Sequence, residues 1–439
     1  MTGRHVRIHA AVIGSSIAGL LAAKALSETY EKVTILERDA LVDGAHPRRG
    51  VPQGRHAHVL LGSGSQAIED LLPGIAGDLS IAGAKSCKSL AEIRFVVAGH
   101  QLTRQAQGSD VLLASRPLIE AKIRKQVAAL PNVALRDQSV VTELITSPDS
   151  ARVVGVSVDS SRGQSRERIA ADLVVAASGR SAQLPAWLAR LGYPRPREDR
   201  LQVDLVYVSR RIRLQSQRLG GARLIGIGPR PGLPRGLMLI EQEDHWIVTA
   251  SGYGAEHHPP TTEHAFVQFL GSVAPPDVLA AVCEGEWLGE LVSHAFPANQ
   301  RRRYERLRRF PDGLLAVGDA LASFNPLYGQ GMSVAALEAK ELRRCLKHGD
   351  QGLARRFFRS TAKVVDQAWN LAVGSDLALP NVVGDRPLTL RLTNAYLERL
   401  LQAAEHETLV AGVYNQVGDM LVRPESLLHP RVLWRVLRG

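Results

Sequence analysis

The run near the start of the chain constrains its fold more than any other feature. Val6 to Ile13 is an apolar strand, Gly14-Ser15-Ser16-Ile17-Ala18-Gly19 a glycine-bearing turn, Leu20 to Leu26 an alanine- and leucine-rich helix start, and Val33 to Leu36 a second apolar strand ending at Glu37. Strand, turn, helix and strand in so short a stretch make one βαβ unit. Gly14 permits the tight turn and Gly19 the close approach of helix to strand. The helix N-terminus then offers free N–H groups and the positive end of its dipole to a pyrophosphate. Ser16 replaces the middle glycine of the usual dinucleotide pattern; it is small enough for a phosphate to approach. Glu37 stands eighteen residues after Gly19, where an acid accepts hydrogen bonds from an adenosine ribose and its charge disfavours a 2′-phosphate. Arg38, next to it, is a further candidate at that rim. A strand–helix turn with a surface glutamate is the plainer alternative.

One such turn does not separate a flavin dinucleotide from a nicotinamide one. A second motif does so through the family it resembles. Gly313-Leu-Leu-Ala-Val-Gly-Asp319 is a strand ending in a polar turn, and Gly318-Asp319-Ala320 is followed, after Phe324-Asn325-Pro326, by Gly329-Gln330-Gly331-Met332 opening a helix. Asp172 to Gly179 is apolar enough to be a central strand covered on both faces. Between Leu201 and Tyr253 the texture changes to period-two alternation, the mark of a mostly antiparallel sheet. The last ninety or so residues are helical by pattern, clearest over Ala354–Trp369 and Thr389–Ala404. The expected fold class is α/β: a Rossmann-type FAD-binding domain (residues 1–185 and 297–350, with strands near 90–110 on the substrate side), an inserted antiparallel β-sheet substrate domain (186–296), and a helical C-terminal region (351–439).

The two motifs in this order resemble the para-hydroxybenzoate-hydroxylase-like, or group A, FAD monooxygenases. The resemblance implies FAD, with Asp319 on its ribitol and Pro326, Gly329, Gln330, Gly331 and Met332 against the flavin ring. N–H donors at that helix N-terminus would stabilise negative charge on the reduced ring. Arg48-Arg49-Gly50-Val51-Pro52-Gln53 is similar to the family's arginine loop, placing Arg48 and Arg49 near the FAD phosphates. Ser115-Arg116-Pro117 is similar to its arginine-then-helix segment, placing Arg116 on FAD. The runs Arg49 to Leu60 and Phe324 to Ser333, with the helical tail, look most like bacterial polyketide polyene epoxidases and related tailoring enzymes of antibiotic biosynthesis.

That subgroup implies transfer of one oxygen atom from O2, through a flavin C4a-hydroperoxide, to an electron-rich alkene of a small hydrophobic natural-product precursor. FAD would be reduced by NAD(P)H or by a separate flavin reductase. Aromatic hydroxylation within the family, and reduction of a double bond on the same fold, stay open. Epoxidation needs no protein nucleophile or strong base, so no catalytic side chain is assigned. His56 and His58, beside the arginine loop, and Tyr207, Trp246 and Tyr253, in the inserted sheet, are substrate-pocket candidates. Two departures stand out: Ala177-Ser178-Gly179-Arg180-Ser181 occupies the place where the family often has Asp-Gly, which bears on NAD(P)H handling, and the Trp-x-Trp-x-Ile-Pro signature of flavin halogenases is absent.

Composition trims the remaining classes. Of 439 residues, 45% are hydrophobic and 22% charged, ordinary for a globular protein, and no apolar run approaches the ~20 residues that span a bilayer. The N-terminus lacks a signal-peptide pattern, so a cytoplasmic protein is expected. The net charge of +11 is spread along the chain, densest from Arg301 to Arg309 and without an aromatic-rich basic motif. Nucleic-acid or peripheral-membrane binding is therefore the lesser, non-enzymatic alternative. Cys87, Cys283 and Cys345 are too scattered for a disulfide framework or a zinc site; free thiols and no metal are expected.

Overall fold

The computed structural model describes residues 7–438 apart from 49, 88, 107–110, 161–165 and 182. Five parallel strands form the sheet of the nucleotide fold, in the order Leu314–Ala316, Leu173–Ala176, His9–Ile13, Lys32–Leu36, Val133–Arg136. The central strand pairs Ile13 with Ala176 on one side and with Leu36 on the other. Every residue of Leu173–Ala176 is buried, as a strand covered on both faces must be. Helices Ile17–Ser27, Arg116–Ala128 and Gln330–Leu346 pack around this layer. An antiparallel three-stranded sheet, Ser139–Thr146, Val153–Ser160 and Arg166–Ala170, flanks it.

A second layer is an eight-stranded sheet in the order Ala322–Ser323, Glu286–Arg302, Glu198–Arg213, Trp246–Tyr253, Arg235–Glu241, Leu224–Ile227, Ile93–Val97, His100–Gln101. Its pairs are antiparallel except Leu224–Ile227 with Ile93–Val97. Alternation splits its faces. Val208, Ile212, Trp246, Val248 and Ala250 turn toward helices Glu263–Gly271 and Pro276–Glu284, meeting Phe266, Phe269 and Val278. Tyr207 and Thr249 turn the other way, toward the cavity described below. Helices Leu353–Leu377, Leu388–Ala404, Thr408–Gly418 and Pro430–Arg438 make the tail.

Strand Glu286–Arg302 is the element the sequence reading lacked, and it runs across the expected boundary at 296/297. Its charged positions hide the alternation. Arg301 is 1% exposed and pairs with Asp366 and Glu305; Arg302 pairs with Glu198 at 3.0 Å and Arg303 with Asp199. The first three arginines of the run are thus tied into ion pairs, while Arg306, Arg308 and Arg309 are exposed. Cys87 and Cys345 are buried and Cys283 exposed, all three free. Among the described residues no helix is long and apolar enough to cross a membrane, and no group of His, Cys, Asp and Glu is placed to hold a metal ion.

Candidate active site

At the N-terminal turn, backbone meets backbone. Gly14 has φ +104°, and a Cβ built on it would lie 2.6 Å from the carbonyl oxygen of Ala177; one on Gly19 would lie 1.9 Å from that of Gly14. Glu37 Oε2 accepts hydrogen bonds from the Ser15 N–H (2.9 Å) and hydroxyl (2.7 Å), and Oε1 accepts from the Asp39 N–H (3.0 Å). Arg48 lies 3.0 Å from Glu37 and 2.7 Å from Glu120. Burial pulls the Glu37 pKa upward, but Arg48 and these donors outweigh it and hold the carboxylate below its usual value. Arg38 is exposed at the rim of the same end, and Arg49 falls outside the described residues.

Two guanidinium groups face this turn with N–H groups to spare. Arg116 donates to Gln53 Oε1 and to Ser16 Oγ, both at 3.1 Å, while its Nε and Arg48 Nη2 are buried without a partner among the described residues. Burial lowers the Arg116 pKa, with Glu120 and Asp319 opposing. Desolvated, unpaired N–H donors beside a helix N-terminus are suited to a pyrophosphate.

The flavin end repeats the logic. Asp319 lies in the turn Gly318–Ala320, its pKa raised by burial against the pull of Arg116, Arg180 and Arg302. Beneath it Glu338, pushed up to about 8 by burial, accepts the Gly318 N–H at 2.6 Å. Pro326–Tyr328 form the next turn; Gly329 has φ +66°, and helix Gln330–Leu346 starts there. A Cβ on Gly331 would meet nothing within 4 Å, so its backbone opens onto the cavity. The Gln330 side chain is 1% exposed, with both amide atoms unpartnered among the described residues, and Met332 is buried beside it. An open backbone face and unmet polar atoms fit a flat polar ring, so these residues would hold the isoalloxazine of FAD and Asp319 its ribitol.

Both ends line one cavity of about 1190 Å³, larger than the ~300–1,000 Å³ usual for one small ligand and roomy enough for a dinucleotide with a substrate. Beyond Gly329–Met332 it reaches Phe95, Leu224, Met238 and Ile240 on the large sheet, with His56, His58, Tyr207 and His294 between. The His56 ring stands edge-on to Tyr207 at 4.6 Å, and His294 lies 5.3 Å from Tyr207. His56 Nδ1 shares a hydrogen bond of 2.8 Å with Ser209 Oγ, which in turn meets Thr249 Oγ1 at 2.6 Å. Burial, then His294 and Arg55, depress His56 to about 3; burial and then Arg116 take His58 to about 3; burial and Arg180 lower His294. All three rings are neutral at working pH.

Stability should register this. Between pH 6.5 and about 3 the unfolded chain takes a proton at residue 56 that the folded chain refuses, so His56 contributes fully above pH 6.5 and its contribution drains as pH falls. In urea titrations of wild type against His56→Gln, the difference between them should shift by about 1.4 kcal/mol per pH unit across that window, wild type losing ground on acidification. A constant difference from pH 7 to 5 would place His56 in contact with solvent.

Two candidates do not line the cavity. Trp246 alternates to the far face and packs under the two covering helices, and Tyr253, though on the cavity-side face of its strand, is fully buried further along it, bonded to Asp376. His294, Arg180, Glu120 and Gln53 enter the site without having been singled out. His294 rides on the unforeseen strand, and nothing local marks it; Arg180 stood in the Ser-Gly-Arg run that departs from the family pattern.

A glycine-framed dinucleotide cradle opening onto a β-sheet pocket fits an FAD-binding flavoprotein. The chain matches the FAD binding domain family over residues 7–357 and belongs to it, within the para-hydroxybenzoate-hydroxylase-like flavin monooxygenases. It is 36% identical over 434 residues to Protein Rv3254 of Mycobacterium tuberculosis (strain ATCC 25618 / H37Rv), covering 94% of this chain and 90% of that one. The fold is similar to the flavin-dependent brominase Bmp2 (TM-score 0.68, 15% identity, 98% of each chain) and to p-nitrophenol 4-monooxygenase PnpA from Pseudomonas putida DLL-E4 (TM-score 0.62, 16% identity, 94% of this chain and 96% of that).

Proposed function

We propose that this flavin monooxygenase transfers one oxygen atom from O2 to an electron-rich, mainly apolar organic substrate, and that an alkene of a natural-product precursor is epoxidised. The observation that carries the reading is the single cavity running from the Gly14 turn, past the open Gly331 backbone, to the apolar wall of Phe95, Leu224, Met238 and Ile240. FAD bound there, once reduced, supplies the activation of oxygen. The chain's own part is to anchor the pyrophosphate through Arg48 and Arg116, seat the ring on Gly329–Met332, and hold the substrate against the sheet away from water. Electrons would come from NAD(P)H or from a separate flavin reductase. Ser178, in the place of the family's aspartate, brings no charge to that step.

A specific observation favours a second reading, hydroxylation of a phenol. His56 is neutral, and in the tautomer that donates from Nδ1 to Ser209 its Nε2 accepts a hydrogen bond from a phenolic hydroxyl and orients the ring, while its low basicity keeps it from removing the proton. His56→Phe should then lower kcat/KM for phenols up to about tenfold while leaving alkene turnover within a few fold.

The test is anaerobic reduction of the holoenzyme, by dithionite and by NADH or NADPH alone, followed by ¹⁸O₂ with alkenes and phenols in turn. We expect substrate-dependent reoxidation and one labelled oxygen atom in the product. A product that has gained hydrogen and no label would replace this reading with that of a double-bond reductase. Reduction by dithionite but not by a nicotinamide would assign the electrons to a separate reductase.

A further inference from the structure

The helical tail past residue 357 lies outside the family match, yet one of its side chains reaches the wall of the flavin cavity. Asp376, near the end of helix Leu353–Leu377, is 0% exposed. Its Oδ1 accepts from the Tyr253 hydroxyl (2.9 Å), Asn325 Nδ2 (2.8 Å) and the Tyr328 hydroxyl (2.8 Å), and its Oδ2 accepts from Asn299 Nδ2 (2.6 Å). All four partners are neutral, and no Lys, Arg or His pairs with it among the described residues. Burial raises the Asp376 pKa and the hydrogen bonds from Asn299, Tyr328, Tyr253 and Asn325 oppose it; three donors converging on one oxygen suit a carboxylate. A buried charge without a counter-ion is costly, and such groups persist where something is gained.

What the four donors hold is the turn that opens the flavin seat. The Asn325 N–H donates to Asn299 Oδ1 (2.7 Å), Asn325 Oδ1 caps the Leu327 N–H (3.0 Å), and Asn325 Nδ2 also reaches the Tyr253 hydroxyl (2.7 Å). Tyr328, which lines the cavity, is tied by its hydroxyl to Asp376 and by its N–H to the Asn325 carbonyl (3.3 Å). Strand Glu286–Arg302, strand Trp246–Tyr253 and the tail helix therefore converge on residues 325–328, immediately before Gly329 and Gln330.

We infer that Asp376 is a positioning residue for the flavin-facing turn Asn325–Gly331, and that its four donors hold it ionised against the pull of burial, so that a negative charge one side chain behind the cavity wall lowers the reduction potential of bound FAD. Reduction places negative charge on the ring, and a fixed anion nearby opposes it in a low-dielectric interior. Oxygen chemistry need not operate for this to hold; the inference rests only on FAD occupying the cavity.

The experiment is equilibrium reduction of the holoprotein against a reference dye, with the visible flavin spectrum and FAD affinity by fluorescence, for wild type and Asp376→Asn. Asparagine keeps the size and removes the charge. We expect a midpoint potential shifted to more positive values, displaced flavin absorbance bands, and FAD bound about tenfold more weakly, as for one hydrogen bond to a charged group. A folded Asp376→Asn protein with wild-type potential and spectrum overturns the inference and leaves Asp376 as a staple between tail and body. Should that variant fail to fold, Tyr328→Phe decides: it keeps the carboxylate and three of its donors, and an altered flavin spectrum with about tenfold weaker FAD supports the positioning role, unchanged values overturn it. Wild-type protein that takes up no flavin would instead remove the reading of the whole cavity.

Discussion

Gly19→Val should yield protein that carries no FAD and melts far below wild type. The Cβ of any residue 19 would sit 1.9 Å from the carbonyl oxygen of Gly14, a backbone atom, so relief requires the helix Ile17–Ser27 to move off the strand His9–Ile13. Overpacking of this kind costs roughly 1–3 kcal/mol or more, a large share of the ~5–15 kcal/mol that keeps a typical domain folded. It also displaces the helix N-terminus from the pyrophosphate, so flavin loss should exceed what the fall in stability alone predicts. Gly77→Ala is the control: a Cβ there meets nothing within 4 Å, and alanine inside helix Ile75–Ile81 should add up to about 1 kcal/mol. Thermal melts with flavin quantitation compare the two; a Gly19→Val protein with full flavin content would mean that the turn is not the dinucleotide seat.

Arg116→Leu should weaken FAD binding about 100-fold while sparing the fold. The guanidinium already spends two N–H groups on Gln53 and Ser16, and its Nε is buried without a partner among the described residues, so the side chain is preorganised toward the cavity. A charge-assisted contact to phosphate in such a place is worth roughly 1.5–3 kcal/mol, and each 1.4 kcal/mol is tenfold in affinity. Arg116→Lys keeps the charge but not the planar fork and should fall between, near tenfold. Titration of apoprotein with FAD gives the ordering directly. Equal affinity in all three proteins would move the phosphates elsewhere, with Arg48 the other guanidinium at this turn.

The parts of this protein legible in sequence are those where backbone geometry demands a residue type. Gly14 and Gly19 are required by contacts between main-chain atoms, Gly329 by a left-handed φ, and Asp172 to Gly179 by burial on both faces; each demand leaves a local mark within a few positions. The βαβ unit, the second glycine turn and the helical tail could be read from those marks alone. The inserted sheet was legible where alternation was clean and invisible where it was not: Glu286–Arg302 carries Arg301 and Arg302 at buried positions because Asp366 and Glu198 arrive from elsewhere to pair with them.

Which side chains share the cavity is a matter of register and long-range packing, and there sequence gave out. A shift of one residue sends Trp246 to the helices and leaves Thr249 facing the pocket, and Tyr253 was drawn from the pocket into the network around Asp376. His56 meets Tyr207 and His294 across segments more than a hundred residues apart, so their neutral cluster exists only once strands Glu198–Arg213 and Glu286–Arg302 have paired and the loop bearing His56 has packed against them. Sequence by itself determined that a dinucleotide cradle forms and where its glycines lie, because local sterics decide that. Tertiary structure alone decided which polar groups are stripped of water and set around the cradle, because burial and charge pairing are properties of neighbours distant in the chain.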